Sequence, residues 1–132
     1  MPASLKRPAP PELPEHKQAD LVEVPLIRLA WARSGDKGDK ANVGVLPRRL
    51  EYAPWIWAAL SEGAVAARFR HYLKGSVQRH YLPGTGAINF LMDGVLGGGG
   101  VASLRNDPQG KGYSQLLLQT PVKVPRKLAE SL

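Results

Sequence analysis

The chain has 132 residues, with 18 lysines and arginines against 11 aspartates and glutamates for a formal net charge of +7; 43% of residues are hydrophobic and 22% charged. That length holds one hydrophobic core and not two. The absence of cysteine excludes a disulfide scaffold, thiolate catalysis and cysteine-ligated metal, and three histidines without a His-x-x-x-His pair offer no histidine-rich centre. No apolar run reaches the ~18 residues of a membrane span. The basic N-terminus is not followed by the apolar stretch of a secretory signal, so a reducing cytoplasm is the expected location.

Pro2, Pro8, Pro10, Pro11 and Pro14 crowd the first fourteen residues and deny them helix and sheet hydrogen bonds. Residues 1–20 are therefore predicted to be an extended tail, mobile or draped on a neighbour, and residues 21–132 a single domain. The branched and aromatic run Leu21–Trp31 predicts a strand. A polar loop over Arg33–Asn42 interrupts the pattern, and Asn42–Leu46 resumes it up to Pro47. Pro54 suits the first turn of a helix carrying Trp55, Ala58 and Ala59. A second helix spans Glu62–Tyr72, with Val65, Phe69 and Tyr72 on its apolar side. Ser76–Leu82 has no wholly apolar face and reads as an edge or interface strand that could pair across a two-fold axis.

Pro83–Gly86 is a turn from which Thr85 caps a helix over Ala87–Leu96, burying Ile88, Leu91 and Val95. Gly97–Gly100 end that helix. Val101–Arg105 is a short strand, Asn106–Gly110 a turn, Tyr113–Leu118 a short helix and Val122–Val124 the final strand. The order approximates β-β-α-β-α-β with additions. It predicts an α+β fold, a mixed or antiparallel sheet with helices on one face, and disfavours a doubly wound sheet.

The positive excess lies in the folded part. No acid occurs between Glu62 and Asp93, where Arg68, Arg70, Lys74, Arg79, His71 and His80 fall. Such a stretch attracts anions, although a solvated helix face explains it equally well. Nucleic acid carries little weight, because no aromatic strand motif or basic recognition helix accompanies the charge.

The segment Arg33-Ser34-Gly35-Asp36-Lys37-Gly38-Asp39-Lys40 contains no apolar residue and mixes both signs of charge. Its cations and glycine amides suit an anionic or zwitterionic ligand. Asp36 and Asp39 lack the further ligands of a calcium loop, so no metal site is assigned. The competing account is structural: the aspartates pair with cations and cap backbone amides. Gly97, Gly98, Gly99 and Gly100 either form a flexible helix end or let backbone approach a ligand or subunit closely. The loop is expected to fold against this glycine run into one polar concavity, with Asp36 paired to a cation such as Arg105 and with Arg33 and Lys37 facing an anion. Ser34 and Ser103 lack a nucleophile elbow, and no catalytic constellation emerges.

Ala32-Arg33-Ser34-Gly35-Asp36-Lys37-Gly38-Asp39 with Asn42-Val43-Gly44, followed by Ala87-Ile88-Asn89-Phe90, Gly97–Gly100, Ser103-Leu104-Arg105 and Gln109-Gly110-Lys111, resembles the AtuA-like ferredoxin-fold domain over about residues 25–124. The resemblance implies a ferredoxin-like fold and a link to bacterial breakdown of acyclic terpenes such as citronellol and geraniol, or of other acyl groups. Relatives often carry a large preceding domain, and only the proline-rich tail precedes the match here. This implies a small accessory subunit that completes or covers the site of a separately encoded large AtuA-like protein. The alternative is a small protein or enzyme acting alone on an acyl-CoA or other anionic carboxylate. No cofactor is expected. Self-association is expected from the many large rings: Trp31, Trp55, Trp57, Tyr52, Tyr72 and Tyr81. The candidate ligand- or partner-binding residues are Arg33, Ser34, Gly35, Asp36, Lys37, Gly38, Asp39, Asn42, Gly97, Gly98, Gly99, Gly100, Ser103 and Arg105.

Overall fold

The branched run from Leu21 forms two strands rather than one. The structure, a computed structural model, describes residues 9–37, 40–70, 75–93 and 111–132. Strand β1 (Leu21–Pro25) stops at a proline, which has no N–H to continue a ladder. Leu26–Arg28 then make one 3-10 turn before β2 (Ala30–Lys37) begins. The corner is held by the Leu26 N–H donating to the Thr120 carbonyl at 2.8 Å. It sends β1 to pair antiparallel with β6 (Pro121–Pro125), while β2 joins a different sheet.

The expected loop over Arg33–Asn42 is largely strand. β2 and β3 (Lys40–Pro47) pair continuously from Ala30↔Pro47 to Lys37↔Lys40, with only Gly38 and Asp39 between the paired lysines. A Gly-Asp pair between two extended runs is a hairpin signal. The polar residues deny a strand only if both faces are buried, and here one face meets solvent.

Helix α1 (Ala53–Ala59) carries Pro54 in its first turn and buries Trp55 and Ile56. Helix α2 (Glu62–Phe69) starts at Ser61, whose hydroxyl accepts the Ala64 N–H at 3.1 Å, and it buries Val65 and Phe69. The residues of its expected last turn, including Tyr72, lie outside the described residues.

Strands β4 (Val77–Leu82) and β5 (Ala87–Met92) form the next hairpin, so the helix expected from Ala87 is a strand. Ile88, Leu91 and Val95 fit a helical stripe, but Ile88, Phe90 and Met92 fit a strand face equally well. The strand reading wins because β3 and β4 flank the segment on both sides. Thr85 accordingly serves the turn and not a helix, accepting the Ala87 N–H at 3.3 Å. Gly86 in that turn has φ of 73°, a conformation open to glycine.

The four-stranded sheet has the order β2-β3-β5-β4, antiparallel throughout. Val43 and Val45 of β3, Ile88, Phe90 and Met92 of β5, and Val77 of β4 point to one side. There they meet Trp55 and Ile56 of α1, Val65 and Phe69 of α2, Leu117 of α3 (Lys111–Leu118) and Val122 and Val124 of β6. The α+β architecture with helices on one face is as the sequence indicates, although two helices stand together between β3 and β4. A short helix α4 (Arg126–Glu130), absent from the sequence reading, follows Pro125. The strand expected at Val101–Arg105 and the turn at Asn106–Gly110 lie outside the described residues.

β4 is an edge strand, as expected, but its edge is occupied. The Arg79 N–H donates to the Glu62 carboxylate at 2.8 Å, which blunts pairing with another chain. Part of the tail lies on its own domain: the His16 ring meets Trp55 edge-on, with centroids 5.1 Å apart. Among the described residues no helix is long and apolar enough to cross a membrane.

Candidate binding face of the sheet

Strand alternation divides the hairpin motif between two sides. Ala30, Ala32 and Ser34 share the side of Val43 and Val45, toward the core, whereas Trp31, Arg33, Gly35, Asn42, Gly44 and Leu46 share the other. Among the described residues no helix covers that second side. Four large apolar residues stand exposed on it: Trp31 at 51%, Leu46 at 41%, Leu82 at 52% and Leu91 at 39%.

Register arranges this open face in rows. Trp31 pairs with Leu46, and Ala87 with Leu82, giving an apolar end. The next row runs Arg33↔Gly44↔Asn89↔His80 across all four strands. Beyond it comes Gly35↔Asn42↔Leu91↔Gln78. Glycines at 35 and 44 leave the middle of the face low, bordered by Arg33, Asn42, Asn89 and His80.

Asn42 lies across this middle. Its Nδ2 donates to Asn89 Oδ1 at 3.4 Å, a long bond, and its Oδ1 would stand 3.2 Å from a Cβ at Gly35. At Gly44 the nearest atom to an added Cβ is the Arg33 carbonyl oxygen at 3.9 Å, so that recess is open. Arg48 adds a second guanidinium, its Cζ 4.6 Å above the Trp31 ring and its Nε donating to the Ile27 carbonyl at 3.2 Å. The described side chains of the face include no carboxylate. The arrangement suits an anionic group at Arg33, where a guanidinium can meet a carboxylate with two parallel bonds, next to an apolar contact at Trp31.

Of the sequence candidates, the structure brings Arg33, Gly35 and Asn42 together on this face and turns Ser34 inward. The Ser34 hydroxyl is buried and has no hydrogen-bond partner among the described residues. The side chains of Asp36 and Lys37 lie outside what is described, as do Gly38, Asp39, Gly97–Gly100, Ser103 and Arg105. The proposed concavity with the glycine run and the Asp36–Arg105 pair therefore also fall outside it.

The acid-free basic stretch loses one member. Arg79 is committed to backbone, donating to the Trp57 carbonyl at 2.6 Å and the Leu60 carbonyl at 3.1 Å. Burial pushes its pKa below the ordinary arginine value, and the Glu62 carboxylate offsets part of that. Asn89 and His80, which share a register row with Arg33, are not among the sequence candidates, and Asn89 falls within the expected helix. The signal that finds them is the two-residue alternation of Ile88-Asn89-Phe90, matched against Val43-Gly44-Val45.

The sequence profile of the AtuA ferredoxin-like domain matches residues 24–123. The chain belongs to this family. No curated protein and no solved structure matches it. The matched span runs from the end of β1 to the middle of β6 and takes in every residue of the open face. The AtuA-like domain thus carries its hairpin motif on the central and edge strands of a sheet whose outer side is left open by the described residues.

Proposed function

We propose that this AtuA-like domain is an accessory subunit that docks through its open sheet face onto a separately encoded large AtuA-like protein in the cytoplasm, where it completes or covers that protein's site in the breakdown of acyclic terpenes or related acyl groups. The observation that carries this reading is the open face itself, where Trp31, Leu46 and Leu82 stand exposed at one end and Leu91 beyond the polar row. Exposed apolar surface rimmed by polar residues marks an interaction site. The basic row beside it favours a partner surface that offers a carboxylate to Arg33. A second copy would set like charges against each other, so face-to-face self-association is the weaker use of this surface.

A second reading rests on the Arg33–Gly44–Asn89–His80 row. Its glycine floor and polar border suit the anionic end of an acyl-CoA or carboxylate bound by the domain alone. Co-expression with the large AtuA-like protein of the same genome, followed by gel filtration, separates the two. A complex that Trp31→Ser and Leu82→Asp both dissolve supports docking. A chain that elutes alone in that partner's presence overturns it, as does a complex indifferent to both substitutions.

A further inference from the structure

On the far side of the core from the open face, the tail, α1 and the β1–β6 ribbon enclose a cleft of about 330 Å³. That volume is at the small end of sites that hold organic ligands. Its walls are mainly apolar: Leu13 comes from the tail, Trp55 and Ala58 from α1, and Leu21 from β1. Its polar groups are His16, Gln18 and Lys123, and no acidic residue lines it among the described residues. His16 Nδ1 is 2.8 Å from the Pro14 carbonyl. A carbonyl only accepts, so Nδ1 carries hydrogen and Nε2 is the ring nitrogen left available. Lys123 stands opposite Glu23 in the ribbon, yet no described carboxylate lies within 4.0 Å of it.

We propose that this cleft binds an aliphatic carboxylate of about ten non-hydrogen atoms. The hydrocarbon lies along Trp55 and Leu13, and the carboxylate meets the Lys123 ammonium at the ribbon. Size, apolar walls and a single sign of charge each select that class. A longer chain outgrows the cleft, an amine meets Lys123, and a small inorganic anion leaves the walls wet. The tail supplies one wall, which gives Leu13 and His16 a role beyond tethering. None of these residues belongs to the open sheet face, so the inference stands independently of docking.

Titration calorimetry on the full chain tests it, with octanoate as the probe and 1-octanol as its uncharged counterpart. Octanoate is expected to bind about tenfold or more tightly than octanol, and Lys123→Gln to bring the two level. Ala58→Phe, at an exposed helix position, fills the cleft and should abolish octanoate binding with an unchanged melt. Leu13→Asp, outside the core, should give the same loss by setting a carboxylate in the wall. No octanoate binding at millimolar concentration overturns the proposal. So does equal binding of octanoate and octanol by the parent protein, or octanoate affinity that survives both Ala58→Phe and Leu13→Asp.

Discussion

The Arg79 guanidinium lies over the Trp57 indole, Cζ 3.4 Å from the ring centroid, while Nη1 bonds the carbonyls of Trp57 and Leu60 at the end of α1. Helix ends leave carbonyls without partners, and a cation placed there satisfies them and the helix dipole together. The same residue's N–H is held by Glu62 in the first turn of α2. One position on β4 therefore fixes the junction of both helices. We predict that Arg79→Ala costs about 2 kcal/mol, from two charge-assisted bonds and a stacked ring in a half-exposed setting. Arg79→Lys should recover less than half of it, because an ammonium lacks the planar fork. Urea denaturation measures both, and a loss under about 0.5 kcal/mol for Arg79→Ala contradicts the account.

Among the described glycines, Gly75 is the one pressed closest against another stretch of backbone. Its N–H donates to the Asp93 carbonyl at 3.1 Å, and an added Cβ would lie 2.7 Å from the Asp93 carbonyl carbon. The Asp93 N–H in turn donates to the Ser76 carbonyl at 3.0 Å. Gly75→Ala must push the ends of β4 and β5 apart, and we predict a cost of about 1–3 kcal/mol. Amide exchange should show the loss first at Asp93. Protection there equal to the parent protein's would refute the prediction.

Glycines 35 and 44 should respond in opposite ways. At Gly35 the Asn42 side chain has to move, so alanine is expected to break the Asn42–Asn89 bond at a cost of under about 1 kcal/mol. Adding Asn42→Ala should remove that cost. Gly44 has room, and alanine there is expected to stabilise the strand by about 0.5 kcal/mol while weakening partner binding by filling the recess. Thermal melts of the three variants check the pattern; a Gly44→Ala protein less stable than Gly35→Ala would sink it.

Trp31 is expected to contribute to association and not to folding. Half of it is exposed, and its described cation contact is Arg48 from the same surface. Trp31→Ser should shift the melting free energy by under about 1 kcal/mol, the scale of one exposed cation–π contact. Buried Trp55 supplies the contrast: Trp55→Ala should cost about 3–5 kcal/mol. Equal losses at the two positions in chemical denaturation would show that the face is closed in solution.

Secondary structure was legible in the sequence where one periodicity had no competitor. Val65 and Phe69 at helical spacing after Ser61 gave α2, and Val122–Val124 between prolines gave β6. It failed where two periods fitted the same residues, as at Ala87–Met92, because the decision came from β3 and β4 on either side and not from the segment. It also fails at Arg33–Asn42, where dense charge reads as a loop although Gly38-Asp39 between two extended runs is a hairpin signal. Arg33, Gly35 and Asn42 of the family motif fall on one side of the sheet. Asn89 and His80 joined them only through register, a long-range property that no local pattern contains.

The β1–β6 ribbon imposes a schedule on synthesis. Leu21 pairs with Pro125, so a strand made near the start of the domain waits for one made near its end. Until β6 has left the ribosome, Val22 and Val24 have no ladder and the core lacks Val122 and Val124. The inner faces of the two hairpins can meet earlier, but α1 is then left without the ribbon that packs beside it. The nascent domain consequently presents apolar surface on both sides of its sheet until the last strand emerges, and only then is the inner side closed.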